Sequence, residues 1–406
     1  MFPVALAHWL ADSGLRNLPF EELVDGFSRR LNDMGVPVAR VFVGMNTLHP
    51  LVRARSLIWD RITGPSTHFE FQHNEIDSEL VRQSPFVAMM RDGIFERRVR
   101  LDAPGAAGGT PVLEELVEAG MTDWLAKVFP FGELMMQLGE PNTAEPASEL
   151  GFVVSLATDR AGGFDEGHLA TLRALLPLFA LAVKATTMSA LGQGLLATYL
   201  GRDPARRVLA GSVQRGKVES VEAVLLYADL RSFTPFADTL PGDQLMTLLD
   251  GCFDCMVRPV NRHGGEVLKF LGDGLLAIFR TSGRRRAEIC ASALAAASEA
   301  LDLMDILAAT RREQGSETPG LDIALHVGTV QYGNVGTDAR LDFTVIGPAV
   351  NEAARIEVLC KELGQPLLMS EAFASAAISS RPHLVSLGRH RLRGVREETE
   401  LFGLSG

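Results

Sequence analysis

Cysteine is scarce here, four in 406 residues, too few and too scattered for a disulfide framework. Basic residues are outnumbered: Lys and Arg total 39 against 50 Asp and Glu, a formal charge of −11, and no Lys/Arg-rich block offsets this. Such a chain is a poor general binder of nucleic acid or anionic membrane. Any phosphate it takes must be held locally, by a few arginines, backbone amides or metal. Long apolar runs are also missing. The most apolar stretch, Ala174–Val183, is bounded by Arg173 and Lys184 and is too short to span a bilayer. The opening MFPVALAHWLADSG has no basic start and soon turns polar, so it does not read as a secretory signal. These absences point to the reducing cytoplasm. What is present is an ordinary globular mix, 47% hydrophobic and 22% charged, long enough for two or three domains.

The front half predicts a helix over Leu18–Val36, ending at Gly35. Strands follow at Val38–Leu48 and Leu51–Asp60, and HFEFQH (His68–His73) alternates as a third strand would. Leu101–Thr110 is loop by its Gly and Pro content. A helix is expected around Val112–Val128, with strands near Leu134–Leu138 and Leu150–Ala157. The turn RAGGFDEG then leads into a helix over Leu169–Val183. This order, and the ending VVSLATDRAGGFDEGHLATLRALLPLFALAV above all, resembles a GAF sensory domain over residues 1–185. The alternative is an α+β dimerisation domain without a ligand. Ala185–Leu200 is helix-prone, with Met188, Leu191, Leu195 and Tyr199 near one face, a stripe fit for a second chain or for plain packing. Gly201–Gly216 reads as a polar linker containing arginines, so 186–216 is expected to join two domains.

The back half places two aspartates at strand ends. VEAVLLYADL (Val221–Leu230) is a buried-type strand reaching Asp229, and RSFTPFADTLPGDQ turns into a helix over Gln244–Val257. A strand Glu266–Leu271 ends in a GDG turn that presents Asp273, and Leu275–Phe279 returns as its hairpin partner. Carboxylates beside small, flexible residues suit hard cations that also bind phosphates, although a turn aspartate is commonly only a turn residue.

The segments YADLRSFT, VLKFLGDGLLAIF, ALHVGTVQYGNVG and FTVIGPAVNEAARIE come in the order and spacing of the class III nucleotidyl cyclases, which residues 217–406 resemble. The whole thus reads as an α+β two-domain protein: a GAF-like front domain and a ferredoxin-like βαββαβ cyclase domain. The resemblance implies two Mg²⁺ or Mn²⁺ ions per site on the metal set Asp229, Leu230 and Asp273. One ion lowers the pKa of the ATP 3′-hydroxyl, and the other neutralises the triphosphate. Backbone amides around Phe233 and Thr234, at a helix start, would cradle phosphate. Asn351 and Arg355 stand four apart on one helix face. The family uses the first to orient the ribose and the second to stabilise charge at the α-phosphate. Outside the motif, Arg355 would read as a partner of Glu352 or Glu357. Lys269 can donate to adenine N1, an acceptor, and Thr344 can accept from the 6-amino group. That pair implies ATP over GTP.

Three positions depart from the pattern. Pro348 replaces a polar residue. Asp322 stands where some members carry a phosphate-contacting arginine. Arg393, with Arg391 as competitor, takes the place of the C-terminal basic residue. No residue reads as a strong general base. Cys252 and Cys255 lie on a helical core stripe, and His326 reads as structural. The resemblance implies adenylate cyclase activity in a homodimer. A nucleotide-binding module without turnover and a guanylate cyclase are the alternatives.

Overall fold

The computed structural model describes residues 3–46, 52–72, 83–130, 151–281, 285–377, 383–395 and 397–404. The chain divides into two compact units, Met1–Leu195 and Leu196–Gly406.

The first unit opens with helices α1 (Val4–Leu15) and α2 (Phe20–Asp33). In α2, Leu23, Val24, Phe27 and Leu31 recur at helical spacing and are fully buried, and the chain leaves the helix through Gly35 at φ 86°. The strands are β1 (Arg40–Asn46), β2 (Val52–Asp60), β3 (Gly64–Gln72), β4 (Glu96–Arg100), β5 (Asp123–Pro130) and β6 (Gly151–Thr158). They form an antiparallel sheet in the order β3-β2-β1-β6-β5-β4. Short helices α3 (Pro85–Arg91) and α4 (Pro111–Glu118) lie in the connections.

The helix expected over Val112–Val128 is therefore wrong in its second half. It stops at Glu118, Gly120 takes a left-handed φ of 77°, and Asp123–Pro130 is a strand. The apolar spacing was compatible with either period. What decides is tertiary: Asp123, fully buried, accepts hydrogen bonds from Arg98 on the neighbouring strand at 2.6 Å and from the Phe164 N–H at 2.9 Å. The strand expected at Leu134–Leu138 lies outside the described residues.

The closing helix α5 runs unbroken over Glu166–Leu200, so it is longer than its apolar run. By length and composition alone it could cross a membrane. Its side chains from Leu169 to Val183 line the core of the first unit, where Phe179 stacks on Phe27 at 4.1 Å.

In the second unit the presumed polar linker holds a helix, α6 (Arg202–Leu209), followed by β7 (Val218–Arg231), α7 (Thr234–Thr239), α8 (Gly242–Arg262), β8 (Glu266–Leu271), β9 (Gly274–Arg280), α9 (Arg286–Glu313) and β10 (Gly320–Gly336). From β7 the order is βαββαβ, with α7 as an extra turn before α8. Then come β11 (Leu341–Ile346), α10 (Pro348–Leu363), β12 (Leu367–Ser370), α11 (Glu371–Ala376), β13 (Leu384–His390) and β14 (Thr399–Leu404). The sheet order is β13-β14-β12-β10-β7-β9-β8, with β11 paired to β10.

The two faces of this sheet have different covers. Val224, Leu226, Ala228 and Leu230 of β7 join α8 and α9 in one core. Ala223 and Leu225 face the other way with Ala349 and Ala353 of α10. Side chains alternate along a strand, so Tyr227, Asp229 and Arg231 belong to the α10 face. The same alternation in β10 puts Leu321 and Ile323 in the α8/α9 core, and Asp322 beside Ala324 on the α10 face. Cys252 is fully buried in that first core and Cys255 packs against it.

α6 is tied down by charge. Asp203, 6% exposed, accepts hydrogen bonds from Arg207 at 2.6 Å and the Tyr332 hydroxyl at 3.1 Å, and pairs with Arg206 and with Arg280 at 2.9 Å. Its own N–H donates to Glu266 of β8 at 2.6 Å.

Candidate active site

Asp229 lies near the end of β7, opposite Asp322 in the β7–β10 ladder. Asp273 sits in the turn between β8 and β9, after Gly272 at φ 70°. The next residue must be glycine: a Cβ at Gly274 would fall 2.5 Å from both the Ala228 carbonyl and Asp229 Oδ1. Removing that carbon lets the Asp229 carboxylate settle against the turn of Asp273. Burial, then the charge of Asp273, then that of Asp322 push the Asp229 carboxyl up to about 6, against a modest opposing hydrogen bond from the Leu230 N–H. Asp322 is satisfied by Arg231, whose Nε donates at 2.9 Å and whose Nη2 forms a shorter contact. Glu357 of α10 is buried, and desolvation with the charges of Asp229, Asp322 and Asp273 raises it to about 7.

This is a region of excess negative charge built from hard oxygen donors, and it fits the divalent cations implied by the sequence. Among the described residues no three His, Cys, Asp or Glu side chains converge as a ready-made cage. Asp229 and Asp273 would therefore supply two carboxylates and leave remaining positions to water and phosphate, as Mg²⁺ sites do.

A second group of residues lines an open cleft at the start of α10. Its walls are Val345 to Pro348, Val350, Asn351, Glu352, Arg355 and the loop Gly394–Val395. Gly347, at φ 156°, precedes the helix and Pro348 occupies its first position, which suits a residue lacking an N–H donor. Pro348 thus starts the helix and disturbs nothing. Arg355 makes no hydrogen bond or ion pair among the described residues, so its reading as a partner of Glu352 or Glu357 fails. Its guanidinium lies along Gly394, where a Cβ would come within 3.5 Å. Arg391 and Arg393, in the same loop, are exposed.

Lys269 projects from β8, just after a register shift in the β8–β9 pairing, and its ammonium pairs with Asp342 of β11. Thr344 is two residues further along β11 and shares that face. The sequence reading gave Lys269 one neighbour and missed Asp342, although its two-residue spacing from Thr344 signalled a common face. Phe233 and Thr234 do open a helix, but α7 has only six residues. His326 is buried and neutral: burial lowers it to about 4, and its Nδ1 lies 2.9 Å from Ser370 Oγ.

Residues 216–406 match the family model for the Adenylate and Guanylate cyclase catalytic domain. Over those residues the second unit is similar to a cyclase catalytic domain. An adenylate cyclase of Anabaena cylindrica is 30% identical over 162 residues, which cover 40% of this chain and 32% of the relative. Adenylate cyclase 2 of Rhizobium meliloti is 28% identical over 210 residues, covering 51% of this chain and 55% of the relative. The chain thus spans between a third and just over half of these curated relatives. The crystal structure of the adenylyl cyclase CyaB from P. aeruginosa aligns to 47% of this chain and 96% of its own, at 21% identity and a TM-score of 0.43. Within the second unit of one chain, no hydrogen bond or ion pair among the described residues links the carboxylate pair to Asn351 or Arg355.

Proposed function

We propose that the protein is an adenylate cyclase, converting ATP to 3′,5′-cyclic AMP and pyrophosphate. The observation that carries this reading is the Asp229–Asp273 pair, two carboxylates brought close by Gly274 and without a basic partner among the described residues. Asp229 and Asp273, with Leu230 beside them, would hold two Mg²⁺ or Mn²⁺ ions. Bound there, divalent cations acidify the 3′-hydroxyl and neutralise the departing pyrophosphate.

The residues of the chain do the rest. Lys269 donates to adenine N1 and Thr344 accepts from the 6-amino group. Asn351 orients the ribose. The 3′-oxygen attacks the α-phosphorus as the bond to the bridging oxygen of the leaving pyrophosphate breaks. Arg355 is half-buried and unpaired among the described residues, so it is free to meet the charge that develops on the α-phosphoryl oxygens. Phe233 and Thr234 offer backbone amides to phosphate, and Arg393 receives the pyrophosphate end. The proton of the 3′-hydroxyl passes to water or to a substrate oxygen.

That no hydrogen bond or ion pair among the described residues joins the carboxylate pair to Asn351 or Arg355 within one chain is compatible with a site shared across a homodimer. Asp229 and Asp273 of one protomer would then complete a site with Lys269, Thr344, Asn351 and Arg355 of its partner. The first unit, whose described elements run two helices, three strands, a helix, a strand, a helix, two strands and a closing helix, would be a GAF-like regulatory domain in a cytoplasmic enzyme. The test is an assay of the purified chain with Mg²⁺ or Mn²⁺ and ATP or GTP. Cyclic AMP should form from ATP with far less cyclic GMP from GTP. Equal turnover, a preference for GTP or no cyclic product would overturn the reading.

A further inference from the structure

Lys269 is held by an acid to which the proposed reaction gives no task. Its ammonium pairs with Asp342 of β11, and the two side chains are 44% and 47% exposed. An ion pair this open adds little to stability, while it costs the long lysine side chain its rotational freedom. Holding the fold together is therefore a poor account of it.

The local backbone shows how the pair is made. β8 is the last strand of its sheet, and its pairing with β9 shifts register between Val267 and Lys269. Such an irregularity on an edge strand re-aims side chains. Leu268 enters the core that Phe343 and Val345 of β11 line. Phe270 packs on Phe253 of α8, with ring centroids 4.6 Å apart. Lys269, between them, reaches across to β11. There Asp342 stands opposite Val335, and Thr344 opposite Gly333, in the β10–β11 ladder. Residues two apart on a strand leave the same face, so Asp342 holds the ammonium on the face of β11 that Thr344 shares.

A lysine ammonium has three donors. With one given to Asp342, the others are left for an acceptor at a fixed place. Adenine offers N1 as that acceptor. Guanine carries a hydrogen on N1 and offers O6 instead. An ammonium loose on its four-carbon stem can swing between such positions; a tethered one cannot. We propose that Asp342 is a positioning residue for base selection, tethering the Lys269 ammonium beside Thr344 so that its free donors meet adenine N1 and do not swing to guanine O6. This rests on the proposed reading of Lys269 and Thr344 as the contacts to adenine.

The test uses the full chain with Mn²⁺ and compares kcat/KM for ATP and for GTP. Asp342→Ala should lower the ATP/GTP ratio roughly tenfold, the loss of one oriented hydrogen bond, mainly through a higher KM for ATP. Asp342→Glu, which keeps the carboxylate, should restore most of the ratio. Lys269→Ala should lower the ratio at least as far, and adding Asp342→Ala to it should change nothing more, because Asp342 acts through Lys269. A ratio unchanged in Asp342→Ala but lowered in Lys269→Ala overturns the inference alone. So does a further fall in the double variant, or an Asp342→Ala chain that melts far below wild type, which would make the pair a prop of the fold. If Lys269→Ala leaves the ratio unchanged, or wild type forms no cyclic product, the adenine contacts themselves fall and the inference with them.

Discussion

Replacing Asp203 by asparagine should destabilise the second unit by an amount set by its arginines. Burial pushes this carboxyl up, but hydrogen bonds from Arg280, Arg207 and Arg206 outweigh it and hold it at about 2 instead of 3.8. A depression of that size corresponds to about 2 kcal/mol of stabilisation of the folded chain. The discount for solvent screening is small, since Asp203 is 6% exposed and Arg280 is 19% exposed in its side chain, although Arg206 is largely in water. Asp203→Asn should therefore cost about 2 kcal/mol, which in a unit of this size lowers the melting temperature by roughly 4–8 °C. Because the folded pKa is depressed, the stabilisation is complete above about 3.8 and is lost as pH falls toward 2. Calorimetry at pH 7 and pH 5 should thus give the same difference between variant and wild type. A shift under 2 °C at pH 7, or one that changes between pH 7 and 5, would refute the argument.

Two further outcomes follow from the site and the junction. Asp273→Ala and Arg355→Ala should each be nearly inactive, yet a verified random mixture of the two should recover about a quarter of wild-type turnover, because half the dimers carry one intact site; no recovery would mean that each site is built within one chain. A chain starting at Leu196 should keep cyclase activity with altered level or oligomerisation, whereas one starting at Val218 loses Asp203 and should melt markedly lower. Equal melting of the two truncations would remove α6 from the structural account.

The sequence was most legible where chemistry and local geometry coincide. Asp229 stands near the end of an apolar strand, Asp273 in a Gly-Asp-Gly turn, and Asn351 and Arg355 on one helix face, and strand pattern, turn composition and helical spacing are local properties. The strand of Asp123–Pro130 was hidden for the opposite reason. Its apolar spacing suits helix and strand alike, and the choice is made by Arg98, 25 residues earlier. The same holds for α6, which reads as a polar linker until Arg280 and Tyr332 arrive to pair with Asp203. Asp342 was overlooked, and Glu357 entered only as an alternative partner of Arg355, because nothing in their own neighbourhoods reveals what lies across the sheet.

The anchoring of α6 also has a consequence for synthesis. The partners of Asp203 outside α6 lie far downstream: Glu266 is 63 residues on and Tyr332 is 129 residues on. At ordinary translation speeds of about 5–20 residues per second, α6 must wait on the order of ten seconds after emerging before Tyr332 exists to receive it. During that wait it has no dock. Its sequence, RDPARRVL, suits the delay: three arginines and an aspartate keep it soluble, and its large apolar side chains are confined to Val208 and Leu209 at its end.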